Sequence, residues 1–152
     1  MVQNISGNLD DVLSKWMKQI QNQTTGMTLA DKTAISEAGG KVFMDALRKE
    51  TKAKHYSNKK DPKFGHMADH ISIMLDGKSR RSVNTDFNGG VIVGWDNRYH
   101  AMNVMRLNDG TKAIIGDHFL TNLRNNNELR SKILQAEKSK YDEIANKKGD
   151  DW

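Results

Sequence analysis

Apolar residues recur at two different periods along this chain, and the change of period divides it. Leu9, Val12, Leu13, Trp16, Met17 and Ile20 stand three and four apart, which lays one apolar stripe along a helix. Asn8 or Asp10 is placed to cap its start. The polar tract from Gln21 to Gly26 reads as a turn. A second helix is expected to open at Thr28, whose hydroxyl can accept a backbone N–H while Asp31 supplies a carboxylate three residues on, the aspartate form of a capping box. Its apolar face, Leu29, Ile35, Val42, Phe43, Ala46 and Leu47, runs to about Ala53. Gly39 and Gly40 interrupt that face at about 1 kcal/mol each relative to alanine. Close approach by a partner and a tolerated pair or kink are equal readings of them.

From His55 to Gly65 the chain is a basic loop holding the single proline, Pro62, and it suits a segment ordered by a partner. Residues 66–75 place Met67, His70, Ile71, Met74 and Leu75 at helical spacing, so a short helix is expected first, with a strand through Ile71 and Ile73 as the alternative. The period then becomes two. Val83, Thr85 and Phe87 alternate, Asn88, Gly89 and Gly90 supply turn chemistry, and Val91, Val93 and Trp95 alternate again, which predicts a β-hairpin. Tyr99 to Leu107 fits a helix through Tyr99, Met102 and Met105 or a strand through Met102, Val104 and Arg106, closed by Asn108, Asp109 and Gly110. Asp117 is placed to cap a final helix carrying Phe119, Leu120, Leu123, Leu129, Ile133, Leu134, Tyr141 and Ile144, with Asn125, Asn126 and Asn127 as the point where it would break.

These elements make one α+β domain over 1–152: a helical N-terminal part (1–54), the basic loop (55–65), a mixed helix and sheet part (66–116) and a C-terminal helix (117–148). The expected architecture is a short antiparallel sheet with a β-hairpin, packed on both sides by the N-terminal helices and the long C-terminal helix. Neither an internal repeat nor a linker long enough to separate two domains is visible.

Composition changes the picture in one respect. A domain of 152 residues buries roughly 70% of its unfolded surface, yet only 36% of these residues are hydrophobic, 28% are charged, and the mean hydropathy is −0.76. So polar a chain either carries long solvated segments or completes its burial against neighbouring subunits. Cysteine is absent, which excludes disulfides and thiolate metal sites and fits assembly in a cytoplasm. No signal-peptide pattern and no stretch of roughly 18 apolar residues is present, so a soluble protein without a membrane partner is expected.

The net charge of +5 makes nucleic acid a partner to weigh. The densest basic run is Arg48 to Lys63, with Lys49, Lys52, Lys54, Lys59 and Lys60, broken by Glu50 and Asp61. Such a run is more often a solvated helix end and loop, and it lacks the aromatic stacking platform or recognition helix of a nucleic-acid binder.

No catalytic signature emerges, so no enzyme and no cofactor is expected. The one constellation that resembles a catalytic signature is His66, Asp69 and His70, since histidines four apart can share a helix face and a metal, but Met67 stands where a metalloprotease has its glutamate and no obvious third ligand lies nearby. The serines at 57, 72, 79 and 82 lack a glycine elbow, and Gly89, Gly90 and Gly94 match no phosphate-binding loop. His100 and His118 are isolated and read as structural. The eight methionines fall mostly on apolar faces, as core filling or as an adaptable interface.

Read in order, several segments resemble the small head-tail joining, or tail-completion, proteins of long-tailed bacteriophages. The likeness is carried by Gly65, His66, Met67, Ala68 and Ile71; by Val91, Ile92, Val93 and Gly94; by Tyr99 and Ala101; by Gly110 and Thr111; and by Phe119 and Leu120, and it covers the chain from about residue 30. The glutamate that such proteins carry shortly before the glycine and threonine is absent, and Met105, Arg106, Leu107, Asn108 and Asp109 stand there instead. The resemblance implies a structural subunit of the virion neck, assembled in the host cytoplasm. Copies would form a ring around the DNA channel and bridge the connector or stopper to the tail terminator or tube, with only non-specific proximity to phage DNA. A tail-terminator role in the adjacent ring and a nucleic-acid-binding role for 48–63 are the alternatives.

A closed ring needs heterologous contacts, one patch of a copy meeting a different patch of the next. The 55–65 loop and the 96–112 segment are the irregular stretches between periodic elements, and Lys59, Lys60, Lys63, Phe64, Tyr99, Asn108, Asp109 and Thr111 are their candidate contact residues. Trp152, at the end of a polar tail, is expected to fray unless a ring partner captures it.

Overall fold

A computed structural model describes residues 26–56, 62–77 and 87–150, with 13–15 and 17 in the N-terminal part. Residues 13–15 and 17 are helical, with Leu13 and Met17 exposed; the rest of the expected first helix and its turn lies outside the described residues. The capping box forms as the sequence predicts. Thr28 Oγ1 accepts the Asp31 N–H at 3.1 Å, and Asp31 Oδ2 accepts the Thr28 N–H at 2.9 Å. This starts α1, Leu29–His55, which continues unbroken for 27 residues.

The two glycines inside α1 serve close packing within the chain rather than a break in the helix. A Cβ on Gly39 would lie 2.5 Å from Glu137 Oε1, and one on Gly40 would lie 3.1 Å from Val91 Cγ2. One glycine therefore admits the C-terminal helix and the next admits the sheet, on two sides of the same turn.

After α1, residues 66–75 depart from the expected helix. A single 3-10 turn, Met67–Asp69, leads into strand β1, Ile71–Leu75. Strand β2, Val91–Trp95, forms where alternation predicts it, but its described partner is β1, antiparallel, with Ile71 opposite Trp95 and Leu75 opposite Val91. The expected partner around Val83 and Thr85 lies outside the described residues, and Phe87 is not in a strand. The reason for the correction is burial. Ile71 is buried and hydrogen-bonded into α1, since Arg48 Nη2 donates to its carbonyl at 3.1 Å.

The ambiguous segment resolves as a helix, α2, Arg98–Asp109, with the Asn97 side chain accepting the His100 N–H at 2.9 Å and Gly110 ending it at φ 87°. The final helix is two: α3, Phe119–Arg124, and α4, Asn127–Asp150. The break falls at Asn125 and Asn126, and Asn126 Oδ1 accepts the Leu129 N–H at 3.1 Å to restart the helix.

Helix α1 is the element the others share: both strands, α3 and α4 pack against it, and α2 covers β2 and α3. Helix α4 runs antiparallel along α1, since Glu137 faces Gly39 while the Lys148 ammonium bonds Asp31 and the Gly26 carbonyl. The long C-terminal helix thus packs chiefly on another helix rather than on the sheet. The core lies toward the C-terminal half of α1, where Leu47, Met67, Ile71, Trp95, Val104, Phe119 and Leu120 are buried together. Trp95 Nε1 donates to the Met67 carbonyl at 2.9 Å, so the indole enters the core with its polar atom satisfied. Among the described residues no helix is long and apolar enough to cross a membrane.

Candidate functional site

Four of the five histidines converge at the C-terminal end of α1 with four aromatic side chains, Tyr56, Phe64, Tyr99 and Phe119. Gly65, at φ 70°, makes the turn that brings Phe64 and His66 there; a side chain at 65 would also approach His70 Nε2 within 3.1 Å. Phe64 stacks on Tyr99 with ring centroids 4.5 Å apart, and its carbonyl accepts His100 Nε2–H at 2.8 Å. His100 is 2% exposed and stacks on His70 at 4.9 Å, while His70 Nδ1 faces Asp96 Oδ2 at 3.3 Å. His66 Nδ1 accepts the Ala68 N–H at 3.1 Å, so its neutral ring carries the proton on Nε2, and Tyr56 packs on it at 4.5 Å. His55 lies against Phe119 at 4.6 Å and places Nε2 2.8 Å from Asp117 Oδ2, close enough for an ion pair but off the line of a hydrogen bond.

These contacts frame an open groove of about 350 Å³ lined by His55, His66, Tyr99, His100, Arg106 and Ile114, among others. His66 and His70 do not share a helix face. One begins the 3-10 turn and the other follows it, and no three histidine, aspartate or glutamate side chains among the described residues are arranged to hold a metal. The histidines are instead held as hydrogen-bonded aromatic plates.

Beside the groove is an exposed apolar surface. Tyr99, Met102 and Met105 project from α2, and the loop after it presents Ile114 and Ile115, the latter 97% exposed. That loop is ordered by its own backbone. The Thr111 N–H donates to the Ile114 carbonyl at 2.8 Å, Thr111 Oγ1 accepts the Ala113 and Ile114 N–H groups, and Asp117 and His118 N–H donate to the Leu107 and Asn108 carbonyls. Two bare isoleucines are therefore held outward on a braced turn, where a flexible loop would let them fold inward.

The predicted contact residues divide accordingly. Phe64 and Tyr99 meet at the groove, Lys63 places its ammonium 5.1 Å from the Phe64 ring centre, and Asp109 and Thr111 are exposed on the neighbouring loop. Lys59 and Lys60 lie outside the described residues. Asn108 is a correction: it is buried, and its side chain caps α3 from a different helix. Its Oδ1 accepts the Leu120 and Thr121 N–H groups at 3.0 and 3.1 Å, and its Nδ2 donates to Thr121 Oγ1 and Asp109 Oδ1. The formal cap residue, His118, is left-handed at φ 56° and gives no side-chain bond, so Asn108 does that work together with Asp117, whose Oδ1 accepts the Phe119 N–H at 3.1 Å.

Of the two irregular stretches, the 62–66 turn and the 98–114 segment lie side by side, whereas 57–61 lie outside the described residues. Sequence reasoning missed Arg106, Met102, Met105, Ile114 and Ile115. The one local signal for the last two was an apolar pair set between Gly110 and Gly116, inside turn chemistry. The basic run is partly committed inside the fold, because Arg48 bonds the Ile71 carbonyl and Lys54 pairs with Glu50 at 2.9 Å. Lys49 and Lys52 are exposed. Comparison of the chain with known protein families, characterised proteins and solved structures finds no match.

Proposed function

We propose that this chain is a structural subunit of the neck of a long-tailed bacteriophage, one copy of a ring that joins the head connector to the tail. The observation that supports the reading is the apolar surface of Tyr99, Met102, Met105, Ile114 and Ile115, which is exposed among the described residues beside the half-buried Phe64 and is built on braced elements. Fully burying one large apolar side chain is worth roughly 1.5–3 kcal/mol. An ordered display of several such side chains is what a docking partner uses, and it accounts for a composition too polar to fill a larger core. The family resemblance of the same segments gives the partner its class: neighbouring copies and the connector, terminator or tube proteins of the neck.

Deleting the gene from its phage tests this. The expected result is full heads and separate tails that fail to join, with joining restored when purified protein is added to the mixed extract. Particles that assemble and infect normally without the chain would refute the neck role.

A further inference from the structure

We infer that the groove beside α2 receives an acidic segment of a partner protein, with an aromatic side chain set among the rings and a neighbouring carboxylate on Arg106. The inference rests on the docking reading above and names the chemistry of what docks. Charge and shape each lead to it.

Among the described residues no carboxylate lines the groove, and Arg106 is the lining residue with a permanent positive charge. Arg106 is exposed, and its guanidinium makes one long contact, 3.5 Å to Asn103 Oδ1, with no acidic side chain paired to it among the described residues. The carboxylates around α2 and its loop face other groups: Asp96 meets His70, Asp109 meets Asn108 and Asp117 meets His55. A guanidinium whose fork of donors is still open is complementary to a carboxylate, and the bond between them is charge-assisted.

Shape selects what lies beside that carboxylate. The groove's volume is near the lower limit of binding pockets, about 300 Å³. His66 and His100 are buried and fixed by their bonds to the Ala68 N–H and the Phe64 carbonyl, and Tyr99 is held against Phe64. Rigid flat walls around a small space suit one aromatic ring, and little freedom is lost when it enters. Beyond the groove, Met102 and Met105 on α2 and Ile115 on the loop are exposed. A small molecule seated among the rings would leave them bare, whereas a polypeptide carrying the ring continues over them. A nucleic-acid strand needs a track of cations for successive phosphates, and the lining offers Arg106 alone.

Selection of a yeast-displayed library of random peptides on the immobilised full chain provides the test, with circular dichroism confirming that each variant used is folded. The enriched peptides should carry an aromatic residue within a few positions of an aspartate or glutamate. A synthetic peptide of the leading sequence should lose about tenfold in affinity when its carboxylates become amides, and about tenfold on Arg106→Gln, without further loss when the two changes are combined. Tyr99→Ala should weaken the same peptide, and it serves as the groove variant if Arg106→Gln does not fold. A library that yields no acidic aromatic sequence, or amides that bind as well as carboxylates, would overturn the inference. So would a single-stranded thymidine oligomer that binds more tightly than the peptide and is lost on Tyr99→Ala, or self-association of the chain that Tyr99→Ala abolishes and the peptide does not compete with. Failure of the selection while head-tail joining still needs the chain would remove this inference and leave the neck role; a successful selection with normal particles in the gene deletion would do the reverse.

Discussion

Asn108 joins two helices through one side chain: from the last turn of α2 it caps α3 and also bonds its neighbour Asp109. Its carboxamide fits because it offers an acceptor to two backbone N–H groups and a donor to a hydroxyl and a carboxylate at once. Replacing it with alanine leaves the buried Leu120 N–H without an acceptor, a loss of about 1–3 kcal/mol. Asn108→Ala should lower the denaturant midpoint by that amount, whereas Asp109→Ala next to it should change little; equal effects would mean that the cap does not matter. The residue was legible in sequence only as part of a turn. A cap received from a residue twelve positions away leaves no local pattern, so chain neighbours could not distinguish this role from an exposed contact.

At the scale of elements, the pairing of α1 with α4 depends on Gly39. The glycine forgoes about 1 kcal/mol of helix propensity and admits the Glu137 side chain. Gly39→Ala alone should be neutral or destabilising because the new methyl meets Glu137, while the same change in a Glu137→Ala background should stabilise by up to about 1 kcal/mol. A double-mutant cycle by chemical denaturation measures this coupling, and additive effects would show that the approach carries no energy.

The same helix pair holds two carboxylates pushed in opposite directions. Hydrogen bonding from Lys148 and from Thr28 holds Asp31 at about 2, below its ordinary 3.8. Its contribution is therefore present above pH 3.8 and is lost as pH falls toward 2. Burial pushes Glu137 above its ordinary 4.5, so its effect has the opposite sign: the native state loses stability as pH rises through and beyond that value. Unfolding midpoints from pH 2 to 7 should show a rising acid limb that Asp31→Asn flattens. At pH 7, Glu137→Gln should be more stable than the natural chain. A Glu137→Gln variant no more stable at pH 7 than at pH 3, relative to the natural chain, would contradict the burial effect.

For the whole molecule, the consequence is a division between a core that stabilises the fold and a surface that does not. Ile115 is almost fully exposed, so Ile115→Asp should change the stability of the isolated chain by no more than about 0.5 kcal/mol. On the proposed function the same substitution should abolish neck assembly, read as the loss of head-tail joining in extracts supplied with the variant. A variant that joins heads to tails as well as the natural protein would show that this surface is not the docking face. The groove lies at the C-terminal end of α1, and Lys148 of α4 lies at the opposite end, on Asp31 and the Gly26 carbonyl.

Several features were decided by the amino-acid sequence alone, because each depends on residues within a few positions of one another. Thr28 and Asp31 start α1, alternation at Val91, Val93 and Trp95 makes β2, and the asparagines at 125 and 126 divide the last helical region. The tertiary structure alone decided that β2 pairs with β1, that His66 and His70 leave a helix for a turn and a strand edge, and that Phe64 meets Tyr99. These outcomes depend on which distant apolar groups can be buried together against α1. Helical spacing at 66–75 yielded to that burial because a short segment's own periodicity is worth less than placing Ile71 in the core.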